Sequence, residues 1–202
     1  MNTFRLSAAK TYLSVAALLL AFLLCTTASV AQATYTGSAV DLVVSGTSTL
    51  HDWDMKSVKA NCTAVFSLNS AGRITELTSL NFSTPINALK SEHSSMDNNA
   101  YKALKSDKNP AIVYTMTTAS VTPGEGGAVT VKCSGKLSIA GATRDAEIVA
   151  SVRPNGDNAL TVSGIRAISM KDFNMQPPTF MLGTIKTGND INLKFNIVLK
   201  KS

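Results

Sequence analysis

Val58-Lys-Ala-Asn-Cys-Thr-Ala-Val-Phe-Ser-Leu-Asn69 is the stretch that decides the fold. Val58, Ala60, Cys62, Ala64, Phe66 and Leu68 alternate with Lys59, Asn61, Thr63, Ser67 and Asn69. Successive side chains of a strand point to opposite faces, so this spacing predicts a half-buried strand with one apolar face. The same period recurs on both sides. Upstream, residues 37–50 carry Val40, Leu42, Val44 and Leu50 in one parity, before His51-Asp-Trp-Asp54 interrupts. Downstream, strands are expected at 74–86, 112–121, 129–139, 146–152, 160–170 and 191–199. The turns between them are rich in Gly, Pro, Asn and Ser, as in Pro123-Gly-Glu-Gly-Gly127 and Pro154-Asn-Gly-Asp-Asn158.

One segment breaks the pattern. Between Ser94 and Pro110, Met96, Ala100, Ala103 and Leu104 share one face at helical spacing. Ser94 or Ser95 is the expected cap, and Asn109-Pro110 the expected stop. The reading is therefore all-β: eight antiparallel strands with one short helix between strands 3 and 4. Closure into a barrel removes exposed edges. A two-sheet sandwich accommodates the same apolar faces.

In an up-and-down barrel, alternate connections share an end. Segments 69–73, 122–127 and 154–158 are short and plain. Segments 51–56, 88–111, 140–143 and 171–189 hold the only tryptophan, both histidines, the helix and Pro177-Pro178. One end is thus expected to be closed, and the other to be an elaborate mouth where binding residues sit.

Candidate lining residues follow from parity and from the mouth. Phe66, Leu80, Phe82, Met116 and Phe195 either line a cavity or fill a core. Small inward residues (Ala60, Cys62, Ala64, Gly135, Ala146, Ala150 and Gly164) favour a cavity. At the mouth the candidates are Leu50, Trp53, Met96, Leu104, Phe173 and Phe180. Arg166 shares parity with Val162 and Ile168. If it points inward it needs a ligand headgroup or an acid as partner; a bulge would turn it outward.

Catalytic and metal chemistry find little support. No Gly-x-Ser-x-Gly elbow occurs, and no cysteine sits beside a basic partner. His51 and His93 with Asp52 or Asp97 are too few for a structural zinc. No enzyme activity, cofactor or metal is expected. Cys62 and Cys133 fall on strands that are not neighbours in a meander, too far apart for the about 7 Å a disulfide tolerates. Free buried thiols are expected.

The N-terminus reads as a secretory signal peptide over residues 1–33. Arg5 and Lys10 precede an apolar run at 13–24, and Ala31-Gln32-Ala33 forms a small-x-small cleavage site. The run is short for a membrane span of about 20 residues. Leu24 before Cys25 argues against lipoprotein processing. Cleavage after Ala33 leaves residues 34–202 as one domain. Loss of Arg5 and Lys10 leaves 17 basic against 13 acidic residues, net +4. The scattered lysines and the export signal argue against nucleic acid. They leave room for peripheral contact with an anionic membrane surface.

Several landmarks, in order, carry a family resemblance. They are Gly46-Thr-Ser-Thr-Leu-His-Asp-Trp53, Ser94-Ser-Met96, Tyr101-Lys-Ala-Leu-Lys105, Asn109-Pro-Ala-Ile112 and Gly135-Lys-Leu-Ser-Ile-Ala-Gly141. Thr143-Arg144, Met170-Lys-Asp-Phe173, Pro177-Pro178 and Gly183-Thr-Ile-Lys-Thr-Gly188 complete the set. The chain resembles the YceI-like polyisoprenoid-binding family, in its Bacteroidetes-type envelope variant. The resemblance implies an elongated lipocalin-like barrel whose lumen holds an isoprenoid chain. Met170 departs from it, since much of the family has arginine there. The expected function is a non-enzymatic periplasmic carrier of an isoprenoid or similar amphiphilic lipid, as monomer or homodimer. The alternative is an envelope interaction module with a filled barrel.

Overall fold

The computed structural model describes residues 30–156 and 158–202. The expected signal peptide lies outside the described residues except for its last four. Of these, Ala31 to Ala33 begin the first strand, in register with Leu68 to Phe66.

The strands are β1 (Ala31–Ser48), β2 (Trp53–Ser57), β3 (Asn61–Leu68), β4 (Ile74–Pro85), β5 (Ala111–Pro123) and β6 (Val129–Ile139). β7 (Ala142–Pro154), β8 (Ala159–Ser169), β9 (Thr179–Phe180) and β10 (Ile185–Lys201) follow. The single α-helix among the described residues, α1, is Ser94–Ala103. Neighbouring strands are antiparallel, and pairing of β1 with β10 from Tyr35↔Lys201 to Ser48↔Thr187 closes the sheet. β2 and β3 both pair with β1 and form one interrupted stave, while the two-residue β9 only extends β10. The result is a closed eight-stranded barrel.

Two expectations are corrected at the second stave. Residues 53–57, expected in a loop, form β2, because Met55 and Ser57 alternate inward with exposed Asp54 and Lys56. Val58, expected inward, is 75% exposed. The stave breaks at residues 58–60, and buried hydroxyls make the break tolerable. Thr84 Oγ1 donates to the Lys59 carbonyl at 2.8 Å, and Ser57 Oγ accepts the Lys59 N–H at 3.2 Å. Backbone groups freed from a ladder need such partners.

The core runs down the barrel axis. On β6, Val129, Val131, Cys133, Leu137 and Ile139 are buried and alternate with solvent-facing residues. Gly135 occupies the same face because the β5 backbone and Tyr114 fill its space: an added Cβ would run into the Thr115 carbonyl oxygen and lie 2.9 Å from both Met116 Cα and the Tyr114 ring. Gly164 likewise accommodates Phe195, whose Cζ would lie 2.5 Å from an added Cβ. Small inward residues therefore do not simply leave volume, because aromatic rings from the neighbouring paired strands lie on them. At the closed end, Tyr35 and Phe66 meet edge to face with centroids 5.7 Å apart.

Two ladders are short. β4 and β5 pair only from Asn81↔Thr115 to Pro85↔Ala111. β7 and β8 pair only from Ser151↔Ser163 to Pro154↔Leu160. The β7–β8 seam thus parts over the half nearest the mouth.

Candidate binding cavity

The mouth is built from the sequence landmarks, each holding another in place. Gly46 and Trp53 are register partners in the β1–β2 ladder, and the indole lies directly on Gly46. Trp53 Nε1 donates to the Thr47 carbonyl at 3.0 Å. Ser48 Oγ braces the turn, accepting from the N–H groups of Leu50 and His51 and donating to the His51 carbonyl. Thr49 ties this turn to β10 through paired backbone and side-chain bonds with Lys186. Arg144 Nε donates to the Asp172 carbonyl at 2.7 Å, joining the β6–β7 turn to the 3-10 turn Met170–Phe173. Asn109 packs on Gly141, whose positive φ of +83° suits a residue without Cβ.

α1 spans part of this end, with Met96, Ala100, Ala103 and Leu104 turned to the lumen. Its cap differs from the expectation. His93 occupies the N-cap position without a side-chain bond, and Ser94 and Ser95 lie inside the helix. The N-terminal turn is held instead by Asp97. This carboxylate is buried and accepts from Ser91 N–H at 2.7 Å and Ser91 Oγ at 2.8 Å, with Lys90 Nζ at 3.4 Å. Burial alone would raise its pKa; the Ser91 and Lys90 interactions outweigh it and hold the carboxyl below its ordinary value. The helix ends at Leu104, where Lys105 turns left-handed (φ 53°), well before Asn109-Pro110. Tyr101 Oη then donates to the carbonyls of Leu89 (2.7 Å) and Asn87 (3.1 Å), pinning α1 to the segment after β4.

Beneath these loops lies a cavity of about 340 Å³. Its wall is overwhelmingly aliphatic, aromatic and thioether, with Leu50, His51 and Ser95 at an exposed rim. A second cavity of about 90 Å³ lies deeper, toward the closed end. Leu42, Phe82, Tyr114, Ile148 and Leu193 line both and form a waist between them.

Leu50, Trp53, Met96, Leu104, Arg166, Phe173 and Phe180 line the upper cavity, and Phe82 lines both. Phe66, Leu80 and Phe195 line the lower one only. Met116 lines neither. It is half-buried at a register shift in the β5–β6 ladder, opposite Gly135. Arg166 points inward. The β8–β10 ladder runs from Asp190↔Ser169 to Lys200↔Ala159 without a bulge, so Arg166 shares a face with its lumen-lining partner Leu193.

Tyr114, the largest fully buried side chain, was missed as a site residue. Its parity with Ile112 and Met116 was the available signal. Burial pushes its phenol up to about 12, with Cys133 and Glu147 adding and the nearby Arg166 charge opposing. Met170, Met175 and Ile168 also line the upper cavity and were not singled out as lining residues. At Met170 the wall is apolar rather than cationic. Cys62 and Cys133 are free, buried and both on the lower cavity, and burial pushes each thiol up to about 11. Among the described residues, no group of three His, Cys, Asp or Glu side chains is placed to hold a metal ion.

An antiparallel eight-stranded barrel, closed at one end and holding an apolar cavity under the loops of the other, defines a lipocalin-like lumen protein. The chain belongs to the YceI-like domain family, whose model matches residues 27–199. It is similar in fold to Burkholderia cenocepacia BcnA, at 13% identity, covering 79% of this chain and 95% of that one with a TM-score of 0.61. A polyisoprenoid binding domain from Saccharophagus degradans, implicated in plant cell wall breakdown, aligns at 12% identity over 83% and 98% of the two chains, with a TM-score of 0.60. The Campylobacter jejuni YCEI protein aligns at 22% identity over 72% and 85%, with a TM-score of 0.52. No curated protein matches the chain.

Proposed function

We propose that this protein is a non-enzymatic, exported carrier that holds the apolar tail of an isoprenoid or similar amphiphile in its upper cavity. The observation that carries the reading is the apolar cavity of about 340 Å³ beneath the loops, within the range of small-molecule sites. Burial of a tail there would supply the affinity, at about 25 cal/mol per Å² before ordering costs. The polyisoprenoid-binding relative supports the choice of tail. The N-terminal signal-like sequence supports export to the periplasm. A long chain would have to part the waist at Tyr114, Leu42 and Phe82 to reach the lower cavity.

The test is organic extraction of the protein purified from a bacterial envelope, followed by lipid identification. A single class of apolar-tailed amphiphile is the expected result. An extract matching that of an unrelated exported protein would overturn the reading in favour of an interaction module.

A further inference from the structure

Among the described residues lining the upper cavity, Arg166 is the one permanently charged side chain. It is half-buried, and its guanidinium takes part in none of the ion pairs or side-chain hydrogen bonds found among the described residues. A guanidinium held against apolar walls without a counter-charge is costly. Its depth is defined by the ladder. It lies three residues below Ser169, the mouth end of β8, or about 10 Å at strand rise. Its register partner Leu193 belongs to the waist shared by the two cavities. The backbone of Arg166 is therefore level with the floor of the upper cavity rather than with its rim. The buried phenol of Tyr114 lines the same cavity, and its one O–H is donated to the Ala146 carbonyl in a long bond of 3.4 Å.

From this we infer that the upper cavity takes a single-chain amphiphile with an anionic head, a carboxylate or phosphate monoester, bound head-down. The head sits on Arg166, and the tail fills the apolar cavity up toward the mouth. A planar guanidinium fork matches two oxygens of such a head, and desolvation at the floor strengthens the contact. The inference rests on the reading of the barrel as a lipid carrier and specifies which lipids it prefers.

The experiment measures displacement of the neutral dye N-phenylnaphthylamine from the delipidated protein. The competitors are palmitate, hexadecyl phosphate, hexadecanol, and acetate or inorganic phosphate without a tail. Palmitate or hexadecyl phosphate should bind about tenfold to a hundredfold tighter than hexadecanol, as charge-assisted hydrogen bonds imply. Arg166→Met should abolish that preference, keep hexadecanol binding, and unfold at a temperature equal to or above the parent's. Arg166→Lys, which keeps charge but not the fork, should retain part of the preference, and it serves if Arg166→Met fails to fold. Trp53, the only tryptophan, stands at the mouth and reports orientation. Head-down binding makes ω-bromopalmitate quench it more than α-bromopalmitate, and the reverse order would overturn the orientation. Equal binding of acid, phosphate ester and alcohol to parent and variant would overturn the inference and leave the lipid reading standing. No displacement by any tailed competitor would sink both, and tight binding of the tail-less anions would show a plain anion site instead.

Discussion

Gly46 and Trp53 stand opposite each other in the β1–β2 ladder, and a Cβ on Gly46 would clash with Cζ2 of the indole. The ring is thus fixed by a missing side chain and by one hydrogen bond to Thr47. Gly46→Ala should drive the ring off the strand and cost about 1–3 kcal/mol in urea unfolding, the usual cost of overpacking. Because Trp53 is the only tryptophan, its emission should shift red in the folded state. Unchanged emission and stability would show that the ring is not held by this contact.

Asp97 is the buried charge of the mouth. Its pKa is lower in the folded than in the unfolded chain, so its contribution is complete above the ordinary carboxylate range. That contribution is lost as pH falls through the folded value. Amide exchange of α1 should accelerate in that acid window ahead of the barrel strands. Asp97→Ala should loosen the helix at neutral pH by about 1–3 kcal/mol, leaving Ser91 without its acceptor. An α1 that exchanges with the barrel at every pH would contradict this.

The two cysteines give a chemical test of the barrel's interior. Both thiols are buried and shifted far above neutral pH, so little thiolate exists to react. On protein lacking residues 1–33, and so Cys25, iodoacetamide without reductant should leave the folded barrel unmodified and label Cys62 and Cys133 once it is unfolded. A mass two protons light and no label would reveal a disulfide.

Replacement of residues 94–106 by a glycine-serine linker separates lid from core. The helix contributes Met96, Ala100, Ala103 and Leu104 to the cavity wall, while the barrel ladders close without it. The variant should keep the barrel's β-sheet circular dichroism and release bound amphiphile faster. Loss of folding would make α1 a core element.

The staves were legible in the sequence because alternation is local: β3, β6 and β10 follow from side-chain parity alone. Arg166 was legible for the same reason, once an unshifted ladder removed the bulge that would have turned it outward. The break at Val58 was not, because its stabilising hydroxyl on Thr84 lies 25 residues beyond Lys59, whose carbonyl it binds. Nor was the α1 cap, where a serine at the right place lost to an aspartate reaching back to Ser91. The cavity was expected for an incomplete reason. Gly135 and Gly164 are filled by Tyr114 and Phe195, and most of the free volume lies at the mouth among large side chains. Packing between paired strands of that kind depends on register, which no single stretch encodes.

Native mass spectrometry of the purified protein tests lumen binding most directly, read beside a variant whose cavity is filled by Ala100→Trp. Lumen binding predicts one amphiphile per chain on the parent, removed by organic extraction and absent from the variant. A bare parent mass, or the same adduct on both proteins, contradicts it.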